Sequence, residues 1–273
     1  MISLLRSCRL PLVTLLVSAL ALPVIANTAI QPAPRDAKWV VRHDGFVEIA
    51  KQGGVNVLFV GDSITDAWRN ANPERGGKAV WDREFAPLGA ANFGIGGDRT
   101  QHVLWRLQNG ELNGIKPKAV VLMIGTNNTG FEPGGTTPRN SPAEVAAGVA
   151  AIVKTLRTQL PDTKILLLAI FPRGEKPDHP QRQQVNEINA TIAKLGDGKN
   201  VRYLDISKKF LQPDGSISKE VMHDFLHFGE KGYEIWAAAI KAPLAAMLKY
   251  PYTSPRQSSS ASEEPPTRNS PAR

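Results

Sequence analysis

The chain reads as an α/β protein: a three-layer α/β/α sandwich on a five-stranded parallel sheet. Two observations predict it. Five short, largely apolar runs, at 55–60, 90–93, 118–124, 164–170 and 201–206, alternate with stretches whose apolar residues recur at helical spacing, and strands separated by helices pair in parallel with helices on both faces. Several of these runs are also apolar at nearly every position, as strands buried on both faces are. Neither an internal repeat nor a second core is visible, so one domain is expected over 37–250.

The termini are expected to lie outside that domain. Arg6 and Arg9 precede an apolar run from Leu10 to Ile25, with Val24 and Ala26 at the two positions a signal peptidase reads. Residues 1–26 therefore read as a cleaved export signal, and the location as periplasmic or secreted. A retained anchor is the competing reading, but Pro11 and Pro23 interrupt the run. Residues 27–36 read as a Pro-containing leader, and 251–273, rich in Ser, Pro, Glu and Arg without apolar period, as a disordered tail.

The 273 residues are 42% hydrophobic and 21% charged, an ordinary globular balance with room for a sizeable core. Cys8 is the single cysteine, which excludes a disulfide framework and a cysteine-ligated metal. The formal charge of +8 comes from scattered Lys and Arg. It reads as a solvated surface suited to an anionic cell-envelope setting, not as a nucleic-acid footprint.

Taken in order, the segment 39–50 predicts a surface helix on the sheet, with Gly45 arguing against it. The first strand, 55–60, runs into Gly61-Asp62-Ser63-Ile64. Ser63 thus stands at a strand's C-terminal end, where open α/β sheets bind ligands. It reads either as a nucleophile or as the cap of a following helix. After a polar loop, 70–77, comes a helical turn or two in which Trp81 and Phe85 point to the core.

The second strand, 90–93, opens into Gly94-Ile95-Gly96-Gly97-Asp98-Arg99-Thr100, whose glycines permit a sharp turn and close backbone approach. A dinucleotide fingerprint fails because Arg99 stands where a third small residue is needed. A helix follows from Thr100, with Val103, Leu104 and Leu107 inward. The third strand, 118–124, is the clearest and ends in Gly125-Thr126-Asn127-Asn128. A Pro/Gly/Thr-rich loop at 131–141 borders the site, and 142–160 is a long amphipathic helix stopped by Pro161.

Past the fourth strand, 164–170, lie a loop at 171–180 and a helix at 183–195 with Val185, Ile188, Ile192 and Leu195 on one side. The fifth strand, 201–206, leads through a turn to Met222-His223-Asp224-Phe225-Leu226-His227. A closing helix, 231–248, turns Ile235, Trp236, Ala239 and Leu244 inward, with a kink expected at Pro243.

Hydrolysis of an ester needs a nucleophile, a base, a group to orient the base and donors for the oxyanion. Ser63 supplies the first, His227 the second and Asp224 the third, since an Asp-x-x-His spacing lets a carboxylate reach the ring's far nitrogen. The backbone N–H of Ser63, the N–H of Gly97 and the side-chain amide of Asn127 are the oxyanion donors. Each has an ordinary structural reading alone; three strand-end polar loops plus a C-terminal Asp/His pair make coincidence the poorer account. A metal site of His223, Asp224 and His227 lacks a recognisable ligand spacing. The G-x-S-x-G elbow is absent because Thr65 occupies its second glycine.

Four blocks, Gly61-Asp62-Ser63, Asn92 to Asp98, Gly125-Thr126-Asn127 and Asp224-x-x-His227, in this order resemble the SGNH/GDSL hydrolases. The second block, with the following Thr100 to Leu107 and with Gly125-Thr126-Asn127-Asn128, is similar to the catalytic subunits of intracellular platelet-activating-factor acetylhydrolases. The resemblance covers about 40–248. It implies a flavodoxin-like sheet, Ser63 as nucleophile, Gly97 and Asn127 as oxyanion donors, the Asp224/His227 pair, no cofactor and, by analogy, a homodimer. Ile64 replaces the leucine of the name-giving tetrapeptide, a volume-conserving change. The export signal and tail are foreign to the intracellular enzymes, which favours an acetylated sugar over a phospholipid.

The expected function is an exported serine esterase that cleaves short-chain, foremost acetyl, esters of a carbohydrate or lipid through an acyl-enzyme on Ser63. The alternative is a non-catalytic module on the same fold that binds a glycan or a partner.

Overall fold

In a computed structural model that describes residues 27–249, the five apolar runs form β1 (Val57–Gly61), β2 (Ala90–Gly94), β3 (Ala119–Met123), β4 (Lys164–Leu168) and β5 (Val201–Leu204). All pairings are parallel, in the order β2-β1-β3-β4-β5. The helices are α1 (Ala37–Gln52), α2 (Ser63–Asp66), α3 (Lys78–Glu84), α4 (Thr100–Gln108), α5 (Pro142–Gln159), α6 (Pro180–Ile192) and α7 (Glu230–Leu248). The segments read as export signal and disordered tail lie outside the described residues.

Alternate strand residues feed two cores. Leu58, Val60, Val120, Leu122, Ile165 and Leu167 meet residues of α1, α4, α5 and α6. Val57, Phe59, Val121, Met123, Leu166 and Leu168 meet α3 and α7. Burial on both faces is why these strands carry unbroken apolar runs, each large side chain contributing about 1.5–3 kcal/mol of transfer free energy. The expected three-layer, flavodoxin-like sandwich is the observed one.

Strand order then places the site. From the interior strand β1 the chain crosses to β2 on one side and later to β3 on the other, so the loops leaving β1 and β3 diverge and open a crevice at the strands' C-terminal ends. Ser63 follows β1 and Asn127 follows β3, one on each lip.

Local departures from the sequence reading have simple causes. Gly45 does not break α1, since it lies on the outer side with nothing within 4 Å of where a Cβ would be. The buried face is Trp39, His43, Phe46 and Ala50, an i, i+4, i+7, i+11 stripe that leaves Val41 and Ile49 outside. Pro243 lies buried within α7, which continues through it to Leu248. The segment read as a leader packs closely: Ala29 is buried, its carbonyl accepts the Thr100 hydroxyl at 2.8 Å, and Arg35 reaches Gly96 O at 2.7 Å.

Candidate active site

Ser63 gets its position from two neighbours. Gly61 ends β1 where a Cβ would stand 2.1 Å from Thr65 Oγ1 and 2.5 Å from Met123 O, so only glycine lets the chain turn there. Asp62, rather than Ser63, caps α2: its Oδ1 accepts the Ile64 N–H at 3.1 Å. Ser63 is the first helical residue, and its hydroxyl takes no part in capping. Its Oγ instead lies 2.9 Å from Nε2 of His227, 164 residues away in the chain.

Behind His227, Nδ1 lies 2.7 Å from Asp224 Oδ2, while Asp224 Oδ1 accepts the backbone N–H groups of His227 at 2.7 Å and Leu226 at 3.1 Å. One carboxylate thus fixes both the ring and the turn that carries it. Phe225 between them is left-handed, with φ 61°, a conformation a bulky side chain adopts only when its surroundings impose it. Its N–H bonds Met222 O and its O accepts Gly174 N–H, which hold the turn in place. Partial burial works to raise the Asp224 pKa, but the bonds from the His227 ring and backbone outweigh it and hold the carboxyl below its ordinary range.

Asp62 is fully buried, and its Oδ2 has no hydrogen-bond partner among the described residues. Burial pushes its pKa up to about 7 against the lowering bond from Ile64 N–H, with the charge of Asp98 adding to the rise. A carboxyl whose folded pKa exceeds its unfolded 3.8 contributes stability at low pH that is lost as pH rises toward about 7. Asp62→Asn keeps the Oδ1 acceptor and cannot ionise. Its unfolding free energy from urea titration, relative to wild type, should therefore rise between about pH 4 and about pH 7, by up to about 1.4 kcal/mol per pH unit, and level off above. A difference that does not change with pH would contradict this account of Asp62.

The glycine turn and the end of β3 meet through Asp98. Gly97 has φ 78°, and the next residue's carbonyl accepts Asn127 Nδ2 at 3.0 Å. A primary amide carries two donors, so this bond leaves Asn127 a second one. Asn92 ties the same turn to α2, donating to Thr65 O at 2.8 Å and accepting Gly94 N–H at 2.9 Å. The loop expected to border the site is anchored as well, Glu132 taking a two-pronged bond from Arg99 at 2.6 Å on each oxygen.

Ser63 and His227 line a cavity of about 580 Å³ together with Arg42, Arg69, Arg75 and His223; Gly97 and Asn127 are joined through Asp98 but are not among its lining residues. The arginines went unnoticed in the sequence because nothing local relates them. Arg173, also missed, donates to Thr126 O and Oγ1 at 3.1 Å. Its charge acts on Asp62 and Asp224 alike. His223 and His227 stack at 6.2 Å between centroids, and among the described residues no group of three or more His, Cys, Asp and Glu is placed to hold a metal. A hydroxyl, an imidazole and a carboxylate in line can move a proton off the hydroxyl and return it.

Comparison with known proteins identifies the family. The model of the GDSL-like lipase/acylhydrolase family matches residues 59–235. The chain is 42% identical over 227 residues to platelet-activating factor acetylhydrolase IB subunit alpha2 of Rattus norvegicus, covering 83% of this chain and 90% of that one. It is 35% identical over 227 residues to the human subunit alpha1, covering 83% and 91%. A GDSL-like lipase from Bacteroides thetaiotaomicron shares the fold with a TM-score of 0.57 at 19% identity, over 77% of this chain and 96% of that one. These relatives correct the expected location. The chain aligns over most of its length with subunits of the acetylhydrolases that the sequence reading took as intracellular, and no signal peptide is shown, since residues 1–26 lie outside the described ones. The periplasmic or secreted assignment is withdrawn.

Proposed function

The chain belongs to the GDSL-like lipase/acylhydrolase family and is a carboxylic ester hydrolase; from that premise we propose that it cleaves short acyl esters, acetyl foremost, of a sugar or lipid alcohol through an acyl-enzyme on Ser63. One observation carries the reading: the Ser63 hydroxyl 2.9 Å from His227 Nε2, with Asp224 2.7 Å behind the ring.

In this mechanism Oγ bonds the acyl carbon as its proton passes to His227 Nε2. Asp224 holds the proton on Nδ1 and stabilises the imidazolium. Negative charge moves onto the former carbonyl oxygen, toward the N–H groups of Ser63 and Gly97 and the free donor of Asn127. Collapse breaks the bond to the alcohol oxygen, which takes the proton from His227. Water then repeats the sequence, releasing the acid and restoring Ser63. The preference for acetyl is supported by the acetylhydrolase relatives.

The test is a panel of p-nitrophenyl esters of increasing acyl length, with mass analysis of the quenched enzyme. The expected result is highest kcat/KM for the acetyl ester and a transient gain of one acetyl group on the peptide holding Ser63. Label on another residue would overturn the acyl-enzyme assignment. A kcat/KM that climbs with chain length would overturn the short-acyl preference.

A further inference from the structure

The turn that carries the Gly97 N–H contains a peptide with two available orientations. Asp98 N–H bonds Ile95 O at 3.2 Å and closes four residues around Gly96 and Gly97, and Gly97 has φ 78°. That is the value of a type II turn at its third residue. A type I turn keeps the same closing bond with that φ near about −90° and its central peptide turned over, and glycine adopts either. A flip of the Gly96–Gly97 peptide would therefore reverse the Gly97 N–H without opening the turn.

What holds the peptide in the observed sense comes from outside the turn. Gly96 O accepts Arg35 Nη1 at 2.7 Å, and among the described residues it has no other donor; the Gly97 N–H itself meets no acceptor there. The carbonyl and the N–H of one trans peptide point opposite ways, so a bond that fixes the first aims the second. The guanidinium lies against Gly97, where a Cβ would stand 3.3 Å from each of its Nη atoms, and a Cβ on Gly96 would stand 3.8 Å from Ser63 Cβ. One glycine thus has the nucleophile beside it and the other has Arg35.

Arg35 is itself held from both sides. It precedes Asp36, the cap of α1, whose carboxylate accepts Trp39 N–H at 3.1 Å. It follows a strap tied down by Ala33 N–H on Gln101 O at 3.2 Å and by Asn140 Nδ2 on Thr28 Oγ1 at 2.9 Å. Asp98 Oδ1 accepts the same Nη1 at 3.1 Å. An ionised donor makes a stronger hydrogen bond than a neutral one and polarises its acceptor, here a peptide whose N–H becomes the better donor.

We propose that Arg35 is a positioning residue of the acyl-transfer reaction: by holding Gly96 O it keeps the Gly97 N–H aimed at the oxygen that becomes negative when Ser63 attacks. This rests on the assignments of Ser63 as nucleophile and Gly97 as oxyanion donor. Arg35 touches no reacting atom. Through it the segment 27–36, which the sequence places outside the domain as a leader, belongs to the working enzyme.

The experiment measures p-nitrophenyl acetate hydrolysis by the full chain and by Arg35→Gln, Arg35→Lys and Trp39→Phe. Arg35→Gln is expected to lower kcat and kcat/KM together by about ten- to hundredfold with KM within about twofold, as loss of an interaction made only in the transition state does. Arg35→Lys keeps a charged donor and should recover about half of that loss on a logarithmic scale. Trp39→Phe removes the indole bond to the same Asp98 Oδ1, at 2.7 Å, and leaves Gly96 O untouched. Its kcat should stay within about threefold of wild type even as stability falls. An Arg35→Gln rate within about twofold of wild type, a loss carried by KM, or an equal loss in Trp39→Phe overturns the proposal. Where circular dichroism shows Arg35→Gln unfolded, Arg35→Lys decides alone: its kcat should lie about threefold or more below wild type at unchanged KM, and a wild-type rate overturns the proposal. Acetyl label on Ser63 in the quenched wild type separates the two readings. With that label, an insensitive Arg35→Gln removes only the role of Arg35; without it the nucleophile assignment falls, and the positioning role with it.

Discussion

Ser63→Ala is expected to lower kcat/KM for p-nitrophenyl acetate by about 10⁴-fold or more while leaving the fold intact. The loss should be that large because in the proposed mechanism the hydroxyl oxygen is the atom to be acylated, and without it only binding and the proposed oxyanion donors would remain. The fold should survive because Asp62, not Ser63, caps α2, and because Ser63 is only partly buried. His227→Ala should lose nearly as much, and the double variant hardly more than either alone, as groups acting in one step behave. Asp224→Asn should fall by less, since the ring stays in place while its tautomer and charge support are lost. Circular dichroism and urea midpoints would verify folding in each case. A Ser63→Ala enzyme that still turns over at wild-type rate would end the serine mechanism.

Arg106→Met is expected to destabilise the protein by about 3–5 kcal/mol. The Arg106 side chain is fully buried, its Nε 2.9 Å from Asp98 Oδ2 and its Nη1 2.7 and 2.6 Å from the two Glu111 oxygens. Methionine fills similar space, yet it leaves two buried carboxylates with only peripheral partners: Arg35 and Trp39 on Asp98, and His43 on Glu111. Set against a usual total of about 5–15 kcal/mol, the change is a large fraction of what holds the fold.

Burial already pushes the Asp98 carboxyl up, and the Arg106 charge pulls it back. Removing that charge favours protonation, so the deficit should narrow as pH falls. Activity should drop as well, because Asp98 follows Gly97 and its carbonyl holds Asn127. An unfolding free energy from urea titration within about 0.5 kcal/mol of wild type would mean that the buried network contributes as little as an ordinary surface site.

How far the site could be read in advance depended on how local its information is. Ser63, Asn127 and the Asp224/His227 pair were legible because each hangs off a strand end or a turn whose chemistry is written in adjacent residues. Even so, the role of Asp62 as cap was missed. Ser and Asp are both favoured caps, and which of them acts depends on the exact backbone at Gly61. The inward face of α1 was likewise blurred, since His43 is buried only because Glu111 and the Asn109 carbonyl lie opposite it.

The sequence by itself determined the five strands, their parallel pairing, the flanking helices and the candidates for nucleophile, base and oxyanion donors, because periodicity and turn chemistry act over a few residues. Only the tertiary structure decided that Arg42, Arg69 and Arg75 face the same cavity as Ser63, and that Asp98 is the buried anchor between the glycine turn and Asn127. An arginine's charge looks the same in the chain whether it is solvated, paired or aimed at a ligand. Its meaning comes from what stands within a few ångström, and the strand order β2-β1-β3-β4-β5 brings those neighbours together from distant parts of the chain.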